Sequence, residues 1–93
     1  MTDSTIVRVR ERQIWQELGD EVVILDVAGG AYYGLNCVGS RVWRMLQKPH
    51  TVAEVRGALL AEFDVDAERC DRELSELLGR LAERGLIEVQ GAA

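Results

Sequence analysis

The sequence has few of the residues on which small enzymes and metal proteins depend. Its 93 residues include one histidine, His50, and two cysteines, Cys37 and Cys70, which lie far apart and form no CxxC or CxxH spacing. Two thiols and one imidazole placed in this way do not make a recognisable zinc site. Catalysis needs a base, a nucleophile or a metal supported by a second group, and no such set is evident. We therefore expect no catalytic residues, no metal and no cofactor.

Long apolar runs and an excess of basic residues are also missing. An apolar run such as residues 22–25 is far shorter than the roughly 18 residues that span a membrane. Eleven basic side chains are outnumbered by sixteen acidic ones, and the resulting net charge of −5 repels phosphate. The first residues resemble no signal peptide. These features predict a cytoplasmic protein whose partners are neither membranes nor nucleic acids.

What remains is the composition of one small globular domain. Hydrophobic residues make up 47% of the chain and charged residues 29%, which excludes a mostly disordered protein. Residues 14–17 and the β-branched run 22–27 predict two strands, separated by a turn at residues 18–20. Gly29 and Gly30 predict a tight hairpin, and residues 31–35 form the returning strand. Alternation places the side chains at 31, 33 and 35 on one face of that strand.

Apolar spacing and capping residues predict three helices after these strands. Their N-cap residues are Asn36, Thr51 and Asp66. Glu54 completes a capping box at the second helix, and Pro49 predicts the end of the first helix near Lys48. The third helix covers about residues 67–84 and ends at Gly85, in the pattern of a Schellman stop.

Two terminal segments and several single residues have simple structural interpretations. Residues 6–10 are either a short strand or a loose arm, and residues 86–89 could add a last strand. Trp43 and Cys70 fall on apolar helix faces, which indicates core positions. His50 reads as a solvated turn residue, and Trp15, beside polar neighbours, as half exposed.

Strands followed by three helices predict an α+β domain of winged-helix type. Three hypotheses about its function follow from this fold and its residues alone. A DNA-binding regulator would insert the third helix into the major groove, but residues 66–84 carry six acidic residues against four arginines. A thiol enzyme using Cys37 lacks an obvious histidine partner. The third hypothesis is a structural subunit that stabilises a larger enzyme.

An ordered set of motifs resembles a known family. The stretches are Tyr-Tyr-Gly-Leu-Asn at 32–36, Gly-Ser-Arg-Val-Trp at 39–43, Thr-Val-Ala-Glu-Val at 51–55, Phe-Asp-Val-Asp at 63–66 and the segment 77–87. Together they resemble the PqqD-like family of leader-peptide recognition elements, which serve ribosomally made, modified peptides. The first two stretches look most like stand-alone members from lasso-peptide pathways. The resemblance covers residues 12–90, and residues 1–11 form an N-terminal arm or extra strand outside it.

The resemblance implies a winged-helix-like fold, with a three-stranded N-terminal antiparallel sheet followed by three helices. It also implies that a precursor's leader peptide docks as an added strand along residues 31–35, in a groove against the third helix. The precursor would then reach a separate leader peptidase and an asparagine-synthetase-like macrolactam synthetase. Carried over by position, the leader-binding residues are Ala31, Tyr32, Tyr33, Gly34, Leu35, Cys70, Asp71, Glu73, Leu74 and Leu77.

Other interpretations of these residues stay open at the level of sequence. Ordinary sheet packing is the alternative for Tyr32 and Tyr33, and Cys70 and Leu74 suit both the core and a groove floor. A free edge at residues 31–35 also permits a homodimer through strand pairing.

Overall fold

The computed structural model describes residues 2–10, 13–27 and 29–91, which contain six strands and three helices. In chain order these are β1 (Ile6–Val9), β2 (Ile14–Leu18), β3 (Glu21–Asp26), β4 (Ala31–Leu35), α1 (Cys37–Met45), β5 (His50–Thr51), α2 (Val52–Glu62), α3 (Ala67–Glu83) and β6 (Ile87–Gln90). Strands β2, β3 and β4 form an antiparallel sheet in that spatial order, and the three helices follow. The predicted α+β fold is confirmed.

The turns of this sheet are set by glycine. Gly19 follows β2 with a φ of 65°, and Gly30 precedes β4 with a φ of 67°, which only glycine adopts without strain. The pairing of β3 with β4 runs without interruption from Val22 opposite Leu35 to Asp26 opposite Ala31. This regular register fixes which side of β4 each backbone group faces.

A second sheet joins the two ends of the chain. Its order is β5-β1-β6, with Ile6 opposite both Thr51 and Gln90. The question left open for residues 6–10 is therefore answered by a strand, whose Val7 is fully buried. The predicted last strand is present as β6. His50, interpreted as a solvated turn residue, instead lies half-buried in β5 because its backbone pairs with Val7.

The predicted helix starts are all confirmed by their hydrogen bonds. The Asn36 side chain accepts the N–H of Gly39 at 2.9 Å, and the Asp66 side chain accepts that of Arg69 at 3.1 Å. At α2, the N–H of Thr51 donates to Glu54 at 2.8 Å and the N–H of Glu54 donates to the Thr51 hydroxyl at 3.1 Å. These bonds satisfy donors that helix starts leave free.

The helix ends follow different rules. Helix α3 ends in the predicted Schellman motif, because the N–H of Leu86 donates to the Leu81 carbonyl and that of Gly85 to the Ala82 carbonyl, both at 3.0 Å. Helix α1 ends at Met45, earlier than the expected position near Lys48. The carbonyl of the C-cap residue Leu46 accepts the N–H of Val9 in β1 at 2.7 Å, so a tertiary bond engages the helix end ahead of Pro49.

The core lies between the β2–β3–β4 sheet and the helices. Trp43 is fully buried and meets the half-exposed Trp15 edge to face, with ring centroids 6.3 Å apart, as expected for both residues. Helix α3 contributes a buried apolar stripe, which consists of Cys70, Leu74, Leu77, Leu78 and Leu81. None of the helices in the described part of the chain is both long and apolar enough to cross a membrane.

The N-terminal segment is bonded to the start of α2. The N–H groups of Val52 and Ala53 donate to the carbonyls of Thr5 and Asp3 at 2.9 and 3.0 Å. Both terminal nitrogens of Arg56 donate hydrogen bonds to the Asp3 carboxylate, at 2.7 and 2.9 Å. This segment thus supplies the α2 N-terminus with acceptors that its own turn cannot provide.

Candidate functional site

A groove of about 350 Å³ separates β4 from α3. Its lining comes from the end of β4, the start of α1, one residue of α2 and one face of α3. These residues are Tyr33, Gly34, Leu35, Asn36, Val38, Gly39, Val42, Leu59, Glu73, Leu74, Glu76, Leu77 and Arg80. An apolar floor with polar rims beside a strand is suited to binding an extended chain.

The outer edge of β4 is unpaired among the described strands, and the register shows which of its groups are free. Leu18 and Glu21 flank a two-residue turn, so they exchange hydrogen bonds with each other. Alternation then directs the backbone groups of Val22 and Ile24 toward β4, where they meet Leu35 and Tyr33. The N–H and C=O groups of Tyr32 and Gly34 consequently face outward, away from the sheet. Sequence alone could not assign these groups because the assignment depends on the register.

Side chains of β4 divide between two faces. Tyr33 is half-buried and Leu35 is buried, and both line the groove. Tyr32 is 76% exposed on the opposite face, and an added Cβ at Gly34 would meet no atom within 4 Å. The side chains of Tyr33 and Leu35 therefore form the groove side of the strand. Tyr32 and Gly34 contribute only their backbone N–H and C=O groups at its free edge.

The α3 face of the groove combines apolar and charged residues. Leu74 and Leu77 are buried and form its floor, whereas Glu73, Glu76 and Arg80 are exposed along its rim. Glu73 pairs with Arg69 one turn earlier, at 3.1 Å. Exposed pairs of this kind contribute little energy, so the rim charges are available to a ligand.

Four of the ten residues expected at the site lie outside the groove lining. Ala31 is exposed at the start of β4, and Tyr32 lies on the other face of the sheet. Cys70 is buried in the core, and burial raises the pKa of its thiol. Asp71 points toward α2, where its carboxylate lies 3.2 Å from Arg56. A helix turns by about 100° per residue, so Asp71 and Glu73 cannot share one face.

The wall formed by α1 was not anticipated among the site residues. Its residues Val38, Gly39 and Val42 line the groove together with the N-cap residue Asn36. Asn36, Gly39 and Val42 belong to the two stretches at 32–36 and 39–43 that carry the family resemblance, but none of the four residues was predicted to bind the peptide. Gly39 is buried, and a Cβ there would lie 3.4 Å from Leu35, so a larger residue would press on the end of β4. The i, i+4 spacing of Val38 and Val42 was the available signal that they share one helix face.

One buried hydroxyl holds this wall against the sheet. Ser40 is fully buried, and its Oγ accepts the N–H of Val22 at 2.7 Å. The same hydroxyl donates to the carbonyl of Leu35 at 3.1 Å. Ser40 therefore replaces the direct bond between the last paired residues of β3 and β4, and it joins both strands to α1.

The groove contains little that could perform covalent chemistry. Its titratable lining residues are Tyr33, Glu73, Glu76 and Arg80, and no cysteine or histidine is found among the described lining residues. Cys37 is exposed at the first position of α1 and does not line the groove. The arrangement is suited to holding an extended peptide.

A second surface lies on the outer face of the β2–β3–β4 sheet. Ile14, Leu25 and Tyr32 form one row across the three strands, and Leu18 lies near the first turn. Ile14 is 57% exposed and Leu18 is 59% exposed, which is unusual for side chains of this size. The outer face is thus an apolar surface that no described element covers.

Comparisons with known proteins agree with this geometry. Residues 21–87 match the family described as coenzyme PQQ synthesis protein D (PqqD). No functionally curated protein sequence matches the chain significantly.

Two solved structures are similar over nearly the whole chain. The structure described as TbiB1 in complex with the TbiA(beta) leader peptide superposes with a TM-score of 0.78, at 35% sequence identity, over 92% of this chain and 98% of that one. The structure described as lasso peptide synthetase B1 complexed with the leader peptide gives a TM-score of 0.74, at 26% identity, over 88% of this chain and 96% of that one. Neither comparison supports the DNA-binding hypothesis.

Proposed function

The chain belongs to the PqqD family, and from that membership we propose that it binds the leader peptide of a ribosomally synthesised precursor, of the lasso-peptide type. The leader adds as a strand along β4 and places its side chains in the groove against α3. The chain acts without catalytic residues, cofactor or metal of its own. It presents the bound precursor to a separate leader peptidase and an asparagine-synthetase-like cyclase.

The observation that carries this proposal is the unpaired edge of β4 beside the groove. Tyr32 and Gly34 direct two N–H and two C=O groups outward, which is the pattern that strand addition uses. Leu74 and Leu77 lie beside that edge and receive apolar side chains from the added strand. Backbone bonds would supply affinity, and the groove would supply sequence specificity.

Simple energetics give a useful range of affinity. Four backbone hydrogen bonds contribute about 0.5–1.5 kcal/mol each, and one or two buried leader side chains add about 1.5–3 kcal/mol each. Ordering a flexible leader costs several kcal/mol. At its favourable end this balance is about 8–10 kcal/mol, which corresponds to dissociation constants from roughly micromolar to tens of nanomolar. Binding of this strength allows the precursor to be released to an enzyme.

The outer face of the sheet supports the proposed delivery to an enzyme. Exposed apolar rows on a small protein typically mark contacts with another protein. The row that contains Ile14 and Tyr32 ends at β4, so an added leader strand would extend the same face. An enzyme docked on this face would therefore contact both the chain and its bound precursor.

Fluorescence anisotropy tests the binding step. The probe is a labelled leader peptide from a candidate lasso-peptide precursor of the same genome, and a scrambled leader is the control. We expect saturable binding in the range given above and none by the scrambled peptide. Equal binding of both peptides, or of neither, would contradict the proposal. Gel shifts with duplex DNA at low salt test the DNA-binding alternative in parallel.

A second experiment tests delivery. The full-length precursor is incubated with a candidate leader peptidase from the same genome, with and without this chain, and leader removal is followed by mass spectrometry. We expect efficient cleavage only when the chain is present. Size-exclusion chromatography of the chain with and without the leader tests for a homodimer formed through the edge of β4. A leader that occupies this edge would dissociate such a dimer.

A further inference from the structure

Arg84 lies at the end of the groove where α3 stops. It is the C-cap residue of α3, and its backbone N–H donates to the carbonyl of Arg80 at 3.2 Å. Gly85 follows with a φ of 70° and closes the Schellman motif. The backbone that carries the Arg84 side chain is therefore fixed in direction.

The Arg84 guanidinium reaches from α3 to β4. Its central carbon lies 4.8 Å from the centroid of the Tyr33 ring, within the range of a cation–π contact. Tyr33 lines the groove whereas Arg84 does not, so Arg84 holds the ring without occupying the space offered to a ligand. Arg80, one turn earlier, is the last α3 residue of the groove lining.

Asp26 anchors the other side of the same guanidinium. Its Oδ2 lies 3.7 Å from an Arg84 terminal nitrogen, and its Oδ1 accepts the N–H of Gly29 at 3.1 Å. The turn is shaped around this carboxylate, because a Cβ at Gly29 would lie 2.7 Å from Oδ2. The ion pair is long and Arg84 is half exposed, so the stacking on Tyr33 makes the larger contribution.

We propose that Arg84 is a positioning residue that fixes the Tyr33 wall of the groove and thereby sets the affinity for the bound peptide. Through Tyr33 and Asp26 it joins the end of α3, strand β4 and the β3–β4 turn. This inference rests on the proposed function, since the groove must hold a peptide for its width to matter. Arg84 acts on the peptide only through Tyr33.

A double-mutant cycle tests the coupling. Arg84→Met keeps the aliphatic stem and loses the charge and the planar group, and we expect leader affinity to fall about twofold to fivefold. Arg84→Lys restores only part of this loss, because an ammonium cannot stack on the ring as a guanidinium does. In a Tyr33→Leu background, Arg84→Met should cause no further loss. Arg72→Met, on the exposed part of α3 outside the groove, is the matched control.

A peptide-free measurement separates this inference from the proposed function. The Arg84 side-chain methylene protons should show a ring-current shift by NMR that disappears in Tyr33→Leu. Absence of that shift, unchanged affinity in Arg84→Met, or additive losses in the double variant would each overturn the inference. Failure of the wild-type chain to bind any leader, with the ring-current shift present, would overturn the proposed function instead.

Discussion

The Ser40 hydroxyl lies 2.7 Å from the backbone nitrogen of Val22 and accepts its N–H, inside a fully buried site. Ser40→Ala would leave that N–H and the carbonyl of Leu35 without partners. Each buried, unsatisfied group costs about 1–3 kcal/mol, so the two groups together predict a loss of about 2–6 kcal/mol in the free energy of unfolding. Urea denaturation measures the loss, and the exposed Ser75→Ala is its control. A change of less than about 0.5 kcal/mol would show that water replaces the hydroxyl.

The free edge of β4 is tested at Gly34. Its N–H faces outward, so Gly34→Pro removes a donor that the sheet does not use, whereas Gly34→Ala keeps it and meets no steric obstacle. We expect the proline variant to fold and to bind the leader about threefold to tenfold more weakly, as one lost hydrogen bond implies. The alanine variant should bind normally. If the two folded variants bind the leader with equal affinity, the leader does not dock along the free edge of β4.

The acidic rim of the groove predicts a salt effect. Glu73 and Glu76 line the groove, so we expect the leader to be neutral to basic where it docks, with affinity falling modestly as salt increases. Charge reversal at either residue should flatten this dependence, because such exposed pairs are worth at most about 1 kcal/mol each. Glu68→Lys, on the opposite side of α3, serves as the control. If leader affinity depends on salt equally in the wild type and in all variants, these carboxylates are solvated and do not contact the leader.

The apolar outer face is tested at β2, away from the groove. Ile14→Thr and Leu18→Thr keep strand-forming residues but remove exposed apolar surface. We expect unchanged leader affinity by anisotropy and slower leader removal by the peptidase. Val27→Thr removes a comparably exposed side chain from the β3–β4 turn and should leave cleavage unaffected. Wild-type cleavage rates in the β2 variants would exclude this face as the enzyme contact.

Acid should weaken the contact between the N-terminal segment and α2. The hydrogen bond and charge of Arg56 hold the pKa of Asp3 below its ordinary range. The native state therefore binds this proton less readily than the unfolded chain, and the contribution to stability is lost as pH falls through the native pKa. In Asp3→Asn, the free energy of unfolding should depend less steeply on pH below about 4. A slope equal to that of the wild type would contradict a role for this carboxylate.

Local signals were sufficient for the elements that build the site. The caps at Asn36, Thr51 and Asp66 specify helix starts through bonds to residues three positions away, and Gly85 specifies a helix end in the same way. The alternation in β4 placed Tyr33 and Leu35 on one face, as the structure shows. These features depend on near neighbours, which a single sequence contains.

Long-range pairing accounts for what sequence analysis missed. Whether residues 6–10 form a strand depends on Gln90 and Thr51, and the end of α1 depends on the Val9 N–H. The outward direction of the Gly34 N–H follows from a register counted through two strands. Asp71 was predicted in the groove together with Glu73 and Leu74, but its carboxylate lies 3.2 Å from Arg56 of α2, outside the groove lining.

The β5-β1-β6 sheet has a consequence for synthesis on the ribosome. Strand β1 is synthesised before the β2–β3–β4 sheet, but its partner β6 (Ile87–Gln90) is synthesised only after α3. Helix α3, which supplies one side of the groove, is also translated late. A nascent chain stalled before β6 can close the β2–β3–β4 hairpins and pair β1 with β5, but the other edge of β1 stays without its partner. The peptide-binding groove between β4 and α3 therefore forms only after α1, α2 and α3 have all been synthesised.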